Sequence, residues 1–154
     1  MKTKNILKSM VVAAVCLGTM AFSSCSTSEK TVSYKEALRY FVKNDVKEYS
    51  PRIITSEAEF TRYFGMATVM GEGGMPTPVN FDKENVIAII LPETNKDTEV
   101  KIESIKKLGE KIVVSYKVIT SGSPRSYSTV PCQLVKVGKK YGDNVEFVKV
   151  ISAL

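Results

Sequence analysis

The feature that most constrains this chain is the run Val86-Ile87-Ala88-Ile89-Ile90-Leu91, which contains no polar side chain and stops at Pro92. Successive side chains of a strand point to opposite faces. A strand with one wet face therefore alternates, and an unbroken apolar run predicts a central strand covered on both faces.

Other segments read as shorter strands around it. Glu99 to about Lys107 and Lys111 to Thr120 flank Leu108-Gly109-Glu110 and form a predicted hairpin. In its second arm Ile112, Val114, Tyr116 and Val118 share one face, directed at the core, while Val113, Ser115, Lys117 and Ile119 share a mixed face. A Ser/Gly/Pro loop at 121–126 leads to a strand around Tyr127 to Val137, and after a turn at 139–144 a last strand runs from Val145 to Ile151. Leu38 to Lys43 fits both patterns, since Leu38, Tyr40 and Val42 alternate while Ala37 and Phe41 suit a helical stripe; a strand is favoured.

One helix is expected, over about 56 to 64. Ser56 and Glu59 have capping-box spacing, Ala58, Phe60, Tyr63 and Phe64 supply apolar contacts, and Gly65 is placed to close the helix in a left-handed conformation. The following residues, 65–80, mix four glycines, two prolines and three methionines without a period, which predicts a long irregular loop. With about six or seven short strands, one capped helix and no alternating strand-helix order, the expected class is α+β, β-dominated, with an antiparallel or mixed sheet.

The first residues follow another logic. Lys2, Lys4 and Lys8 precede an apolar stretch from Ser9 to Phe22 and then Ser23-Ser24-Cys25, the basic, apolar, small-residue order of a secretory signal. Its apolar core, roughly 12 to 14 residues, falls short of the ~20 that a membrane-crossing helix needs. Small residues directly before Cys25 resemble a bacterial lipobox, in which cleavage precedes acylation of the cysteine. Residues 1–24 are thus expected to be removed, 25–31 to serve as a polar tether, and 32–154 to form one β-rich domain, held by lipid on Cys25 at the bacterial cell envelope, on the outer membrane. Loss of the three leader lysines takes the formal net charge from +6 to +3. Two basic doublets, Lys106-Lys107 and Lys139-Lys140, are too little for a nucleic-acid groove.

Chemistry is limited by a count: the chain has no histidine. This excludes serine-histidine and cysteine-histidine nucleophile pairs and most transition-metal sites. Ser104 and Lys107 have the spacing of a serine-lysine dyad, but strand positions three apart face opposite sides. Glu93, Asp97 and Glu99 sit in a charged connection without the tryptophan-lined cleft that sugars usually meet, and the stretch from Asn95 to Glu99 lacks the spacing of a calcium loop. Gly71-Glu72-Gly73-Gly74 has neither the preceding strand nor the lysine of a phosphate cradle. Cys132, in the apolar run from Val130 to Val135, is expected to be a buried small hydrophobe. No catalytic residue, metal ligand or cofactor is expected.

Two loops are candidates for binding. Met66, Met70 and Met75, with Glu72 between them, put flexible apolar side chains on a glycine-rich segment, as adaptable protein-contact surfaces do; the alternative is that the methionines fold back onto the core. Arg125 and Tyr127 pair an arginine with an aromatic among small polar residues in the second loop.

From Asn80 the order Asn-Phe-Asp-Lys-Glu-Asn-Val-Ile-Ala-Ile-Ile, then Ile-Val-Val-Ser-Tyr-Lys, then Tyr-Ser-Thr-Val-Pro-Cys-Gln-Leu-Val-Lys-Val resembles the C-terminal domain family of PrcB-like lipoproteins, accessory subunits of bacterial surface protease complexes. The resemblance covers about residues 80–138, and Ser56 to Phe64 looks like the helix that precedes that core. Where the family often has a threonine-glycine-tyrosine turn, this chain has Glu93-Thr94-Asn95-Lys96-Asp97. The resemblance implies a non-catalytic, protein-binding role toward an envelope or secreted protein, possible partners including a protease. A structural envelope lipoprotein and a small-molecule or glycan-binding module are the alternatives.

Overall fold

A computed structural model describes residues 28–151. The expected signal peptide, Cys25 and most of the expected tether lie outside the described residues. Among the described residues ten strands and one α-helix form two four-stranded sheets and a two-stranded ribbon, a β-dominated α+β fold. In chain order they are β1 (Glu29–Thr31), β2 (Tyr34–Glu36), β3 (Tyr40–Val42), β4 (Arg52–Ile54), α1 (Glu57–Tyr63), β5 (Phe64–Met66), β6 (Glu84–Ile90), β7 (Asp97–Leu108), β8 (Lys111–Ser121), β9 (Cys132–Gly138) and β10 (Val145–Lys149). One sheet has the order β1-β7-β8-β10, the second β2-β9-β6-β4, and β3 pairs with β5.

The apolar run does what its composition demands. β6 lies inside the second sheet between β9 and β4, antiparallel to both. Ile87 and Ile89 point into a first core shared with Val100, Ile102 and Ile105 of β7 and Ile112, Val114 and Tyr116 of β8, so the two sheets face each other. Val86, Ala88 and Ile90 point the other way, into a second core closed by Phe60 and Tyr63 of α1 and by Val42 and Phe64 of the ribbon. Phe60 is the hub of that core, with ring centroids 4.9 Å from Tyr40 and 5.2 Å from Phe64.

The helix begins where its cap specifies. Ser56 is extended and its hydroxyl accepts from the Glu59 amide at 3.3 Å. The glutamate reaches back one residue further than a capping box requires, to the Thr55 amide at 3.4 Å. Replacing Ser56 by Ala removes that acceptor and is expected to lower stability by about 1 kcal/mol; an unchanged urea midpoint would show that the cap contributes nothing. The other end departs from expectation. The chain leaves α1 directly into β5 with Phe64 extended, so Gly65 is a strand residue and not a left-handed cap. Its role is close approach: Phe41 is its cross-strand partner, and the Phe41 ring occupies the space a Cβ on Gly65 would need.

Three further differences have local causes. Glu29–Thr31, expected to end the tether, pair antiparallel with Lys106–Leu108 as an edge strand. The strand expected around Tyr127 starts only at Cys132, because Thr94 and Thr129 form an isolated bridge that holds the preceding residues as a loop. In β7 the register with β8 slips between Ile102 and Ser104. The slip moves the core-facing positions from Val100 and Ile102 to Ile105, and the Gln133 side chain accepts from the Ile102 amide at 2.6 Å, tying the two sheets together. β10 returns parallel to β8, which makes the first sheet mixed.

Candidate functional site

The irregular methionine loop expected over 65–80 starts only at Ala67, because Gly65 and Met66 belong to β5; from there it is irregular in trace but fixed in place. The Ala67 amide donates to the Arg39 carbonyl at 2.9 Å, the Thr77 amide donates to the Leu38 carbonyl at 3.1 Å, and the Leu38 amide donates to the Thr77 side-chain Oγ1 at 3.1 Å. The Tyr40 hydroxyl donates to the Thr77 carbonyl at 2.7 Å, and Arg39 Nε to the Gly73 carbonyl at 2.6 Å. Arg39 itself has φ 64, the only non-glycine residue with positive φ among the described residues, a conformation that costs on the order of 1 kcal/mol. At the tip Gly74 is buried, and a Cβ there would meet the Val69 carbonyl oxygen, so the turn accepts only glycine at that place.

On this scaffold the methionines face solvent. Met66 is 68 % exposed, Met75 72 %, and Met70 fully so; Leu38, Phe41 and Val69 beside them are about half exposed. Glu72 is exposed on the same tip. The alternative in which the methionines cap the core is therefore not the arrangement adopted.

The second candidate loop is anchored differently. Arg125 Nη2 lies 2.8 Å from Asp97 Oδ2, and its amide donates to the Asn95 carbonyl at 2.7 Å. Its guanidinium sits 5.6 Å from the ring centre of Tyr127, which is 57 % exposed. Exposed pairs of this kind contribute roughly 0 to 1 kcal/mol, so the contact orders the loop more than it stabilises the domain. The loop thus rests on the Glu93 to Asp97 connection, the stretch that departs from the PrcB-like pattern.

Sequence reasoning missed a third feature. Between the chain at 40–49 and the loop before β9 lies a cleft of about 590 Å³, lined among others by Tyr40, Tyr49, Lys43, Lys47, Glu93 and Cys132. None of Met66, Met70, Glu72, Met75, Arg125 or Tyr127 lines it. Its walls come from three separate segments with no spacing signal to join them. Lys43 Nζ is engaged by the Thr61 carbonyl at 2.5 Å, and Cys132, expected to be buried, is only partly buried in the cleft wall, where desolvation still pushes its thiol up to about 11.

That shift has a chemical consequence. Against an ordinary thiol value near 9, folded Cys132 carries about a hundredfold less thiolate at pH 8. Native protein is expected to be alkylated much more slowly at pH 8 than protein in denaturant; equally rapid labelling of the native form would contradict the raised thiol pKa. The unfolded thiol ionises first, so this group draws the equilibrium toward unfolding as pH rises above 9, and its effect levels off beyond about 11.

Other polar groups serve the fold. Glu48 accepts from the Tyr63 hydroxyl at 2.6 Å and pairs with Arg52 and Arg62 at 3.2 and 3.3 Å. The Tyr63 hydrogen bond, followed by the Arg52 one, holds its carboxyl below the usual range and in turn raises the Tyr63 phenol. Lys107, half of the rejected dyad, donates to the Tyr141 carbonyl at 2.9 Å. Among the described residues no group of three His, Cys, Asp or Glu side chains is placed to hold a metal ion, and no helix is long and apolar enough to cross a membrane.

Fold and surface together define a two-sheet β-dominated domain that displays two ordered loops. Compared with known protein families, curated proteins and solved structures, the chain matches none.

Proposed function

We propose that the chain is an exported lipoprotein, lipidated on Cys25 and held at the outer membrane of the bacterial cell envelope, whose domain binds another envelope or secreted protein without catalysing a reaction. Accessory subunit or inhibitor of a protease is the specific role, and it rests on the PrcB-like resemblance of residues 80–138. The observation that carries the binding reading is the methionine loop: it is hydrogen-bonded to Leu38, Arg39 and Tyr40 at its base, yet Met66, Met70 and Met75 stay exposed. Met66, Met70 and Met75, held out to water by an ordered loop, bury little within their own domain. The loop lowers the ordering cost of a contact made with a partner.

Changing Met70 and Met75 to Ser tests this. Chemical crosslinking in intact cells followed by affinity capture is expected to lose the partner seen with the unaltered chain, while the thermal midpoint of the purified variant stays within about 2 °C. A large fall in the midpoint would instead assign the methionines to the core. The cleft bordered by Tyr40 and Tyr49 supports a second reading, a small-ligand module, because concave sites with aromatic walls and a few polar groups are the usual form of such sites. Under that reading Tyr49→Ala abolishes the function and the methionine variant retains it.

A further inference from the structure

At the end of the first sheet opposite the Arg125 loop, three lysines from distant segments meet. Lys30 comes from β1, Lys107 from the end of β7, and Lys140 from the 3-10 turn Lys139–Tyr141 that precedes β10. With Ser28, Gly109 and Tyr141 they line a hollow of about 350 Å³ that contains no carboxylate. The Lys107 ammonium is set by the Tyr141 carbonyl, and the Lys140 ammonium stands 5.1 Å above the Tyr141 ring. Of the carboxylates nearby, Glu29 pairs with Lys106 and Glu146 with Lys111, while Glu110 and Asp143 are exposed, lie outside the lining and form no ion pair among the described residues. Lys30, Lys107 and Lys140 have no acidic partner among the described residues.

The place of this hollow is as telling as its charge. Ser28, where the described chain begins, is part of its wall. Three peptide units separate Ser28 from Cys25, a reach of at most about 10 Å. That is close to the Debye length at physiological ionic strength, roughly 8 Å, so lysines at this end feel a charged surface to which Cys25 is attached. We infer that the Lys30–Lys107–Lys140 hollow is a docking site for anionic phospholipid headgroups, which orients the domain with this end on the bilayer. The orientation rests on lipidation at Cys25; the headgroup site does not. β7 then runs away from the membrane for about 35 Å to Asp97, which holds Arg125, and β2 carries the chain in the same direction toward Leu38 and the methionine loop. Both candidate contact loops point outward from the anchored end.

The test uses the chain 25–154 without acyl groups, whose fold is secure because both cores are built from residues after Ser28. Sedimentation with phosphatidylglycerol vesicles at low ionic strength is expected to carry the protein down, with no sedimentation on phosphatidylcholine and release on adding salt. Lys30→Glu with Lys140→Glu, both at exposed positions, is expected to lower the partition at least about tenfold. Lys96→Glu with Lys149→Glu makes the same change in net charge at the other end and is expected to leave it within about twofold. Absence of binding to phosphatidylglycerol, an equal loss in the two double variants, or displacement by inorganic phosphate at the concentration of lipid phosphate each overturns the headgroup site, the last in favour of a soluble anion. Because no acyl chain is present, failure here is separate from failure of lipidation, which membrane fractionation of the Cys25→Ala variant reads by itself.

Discussion

Ile89→Asp is expected to leave no cooperative unfolding transition. Ile89 is wholly buried near the end of β6, paired with Gln133 of β9 and beneath β7 and β8. The first core around it is aliphatic apart from Tyr116, Tyr141 and the flanking Phe147, and among the described residues no cationic side chain is buried to pair with a carboxylate. Loss of a fully buried isoleucine forfeits about 2 to 3 kcal/mol, and an unpaired buried charge adds several kcal/mol more, even after its pKa rises to neutralise it. Domains of this size are stable by only about 5 to 15 kcal/mol. Ile119→Asp, on the exposed end of β8, is the control and is expected to shift the midpoint by about 0.5 kcal/mol at most. A folded Ile89→Asp protein, with near-native circular dichroism and a sharp urea transition, would contradict the placement of β6.

Cys25→Ala is expected to move the protein from the membrane fraction to the soluble fraction or to leave the precursor uncleaved. Under the proposed lipidation several acyl chains share Cys25 and make a durable anchor where a single chain would bind only marginally, since each buried methylene contributes about 0.8 kcal/mol and each surface lysine only about 1 kcal/mol. At physiological ionic strength, where the lysines are screened, the hollow therefore orients an anchored domain but does not hold an unanchored one. A mature Cys25→Ala protein still wholly in the outer-membrane fraction would remove the lipid from the account.

Much of this fold was legible because hydrophobic period reports burial directly. The run from Val86 to Leu91 had to lie between two apolar layers, the Ile112, Val114, Tyr116 set had to face one of them, and Ser56 with Glu59 marked the start of the only α-helix among the described residues. Where the chain broke the period, reading failed. The slip at Glu103 changes which parity faces inward, although Val100, Ile102 and Ile105 carry the signal for a reader who counts two steps and then three. Gly65 was misplaced because glycine serves two needs, positive φ and the absence of a Cβ, and composition does not distinguish them; the Phe41 ring decided. Glu29–Thr31 are all exposed, and their edge strand is held by main-chain pairing with Lys106–Leu108, which leaves no apolar pattern to read.

The candidate sites divide along the same line. Glycine and methionine content pointed to the loop at 65–80, and Arg125 with Tyr127 to the second loop, since both lie in single segments. What holds those loops was hidden: Arg39 gives no sign in sequence of its left-handed backbone or its bond to Gly73, and Asp97, read as part of a solvated connection, is the partner of Arg125. The aromatic cleft and the lysine hollow are each assembled from segments tens of residues apart, brought together by strand pairing that only the folded chain specifies.

The central claim is that the methionine loop is the face by which an anchored domain holds its partner, and site-specific photocrosslinking tests it most directly. A photoreactive residue placed at Met70 in living cells of the source organism is compared with one at Lys101, on the exposed side of β7. One envelope or secreted protein is expected to crosslink in stoichiometric yield from position 70 and not from position 101. Equal, low-yield crosslinks from both positions to abundant membrane proteins would contradict it.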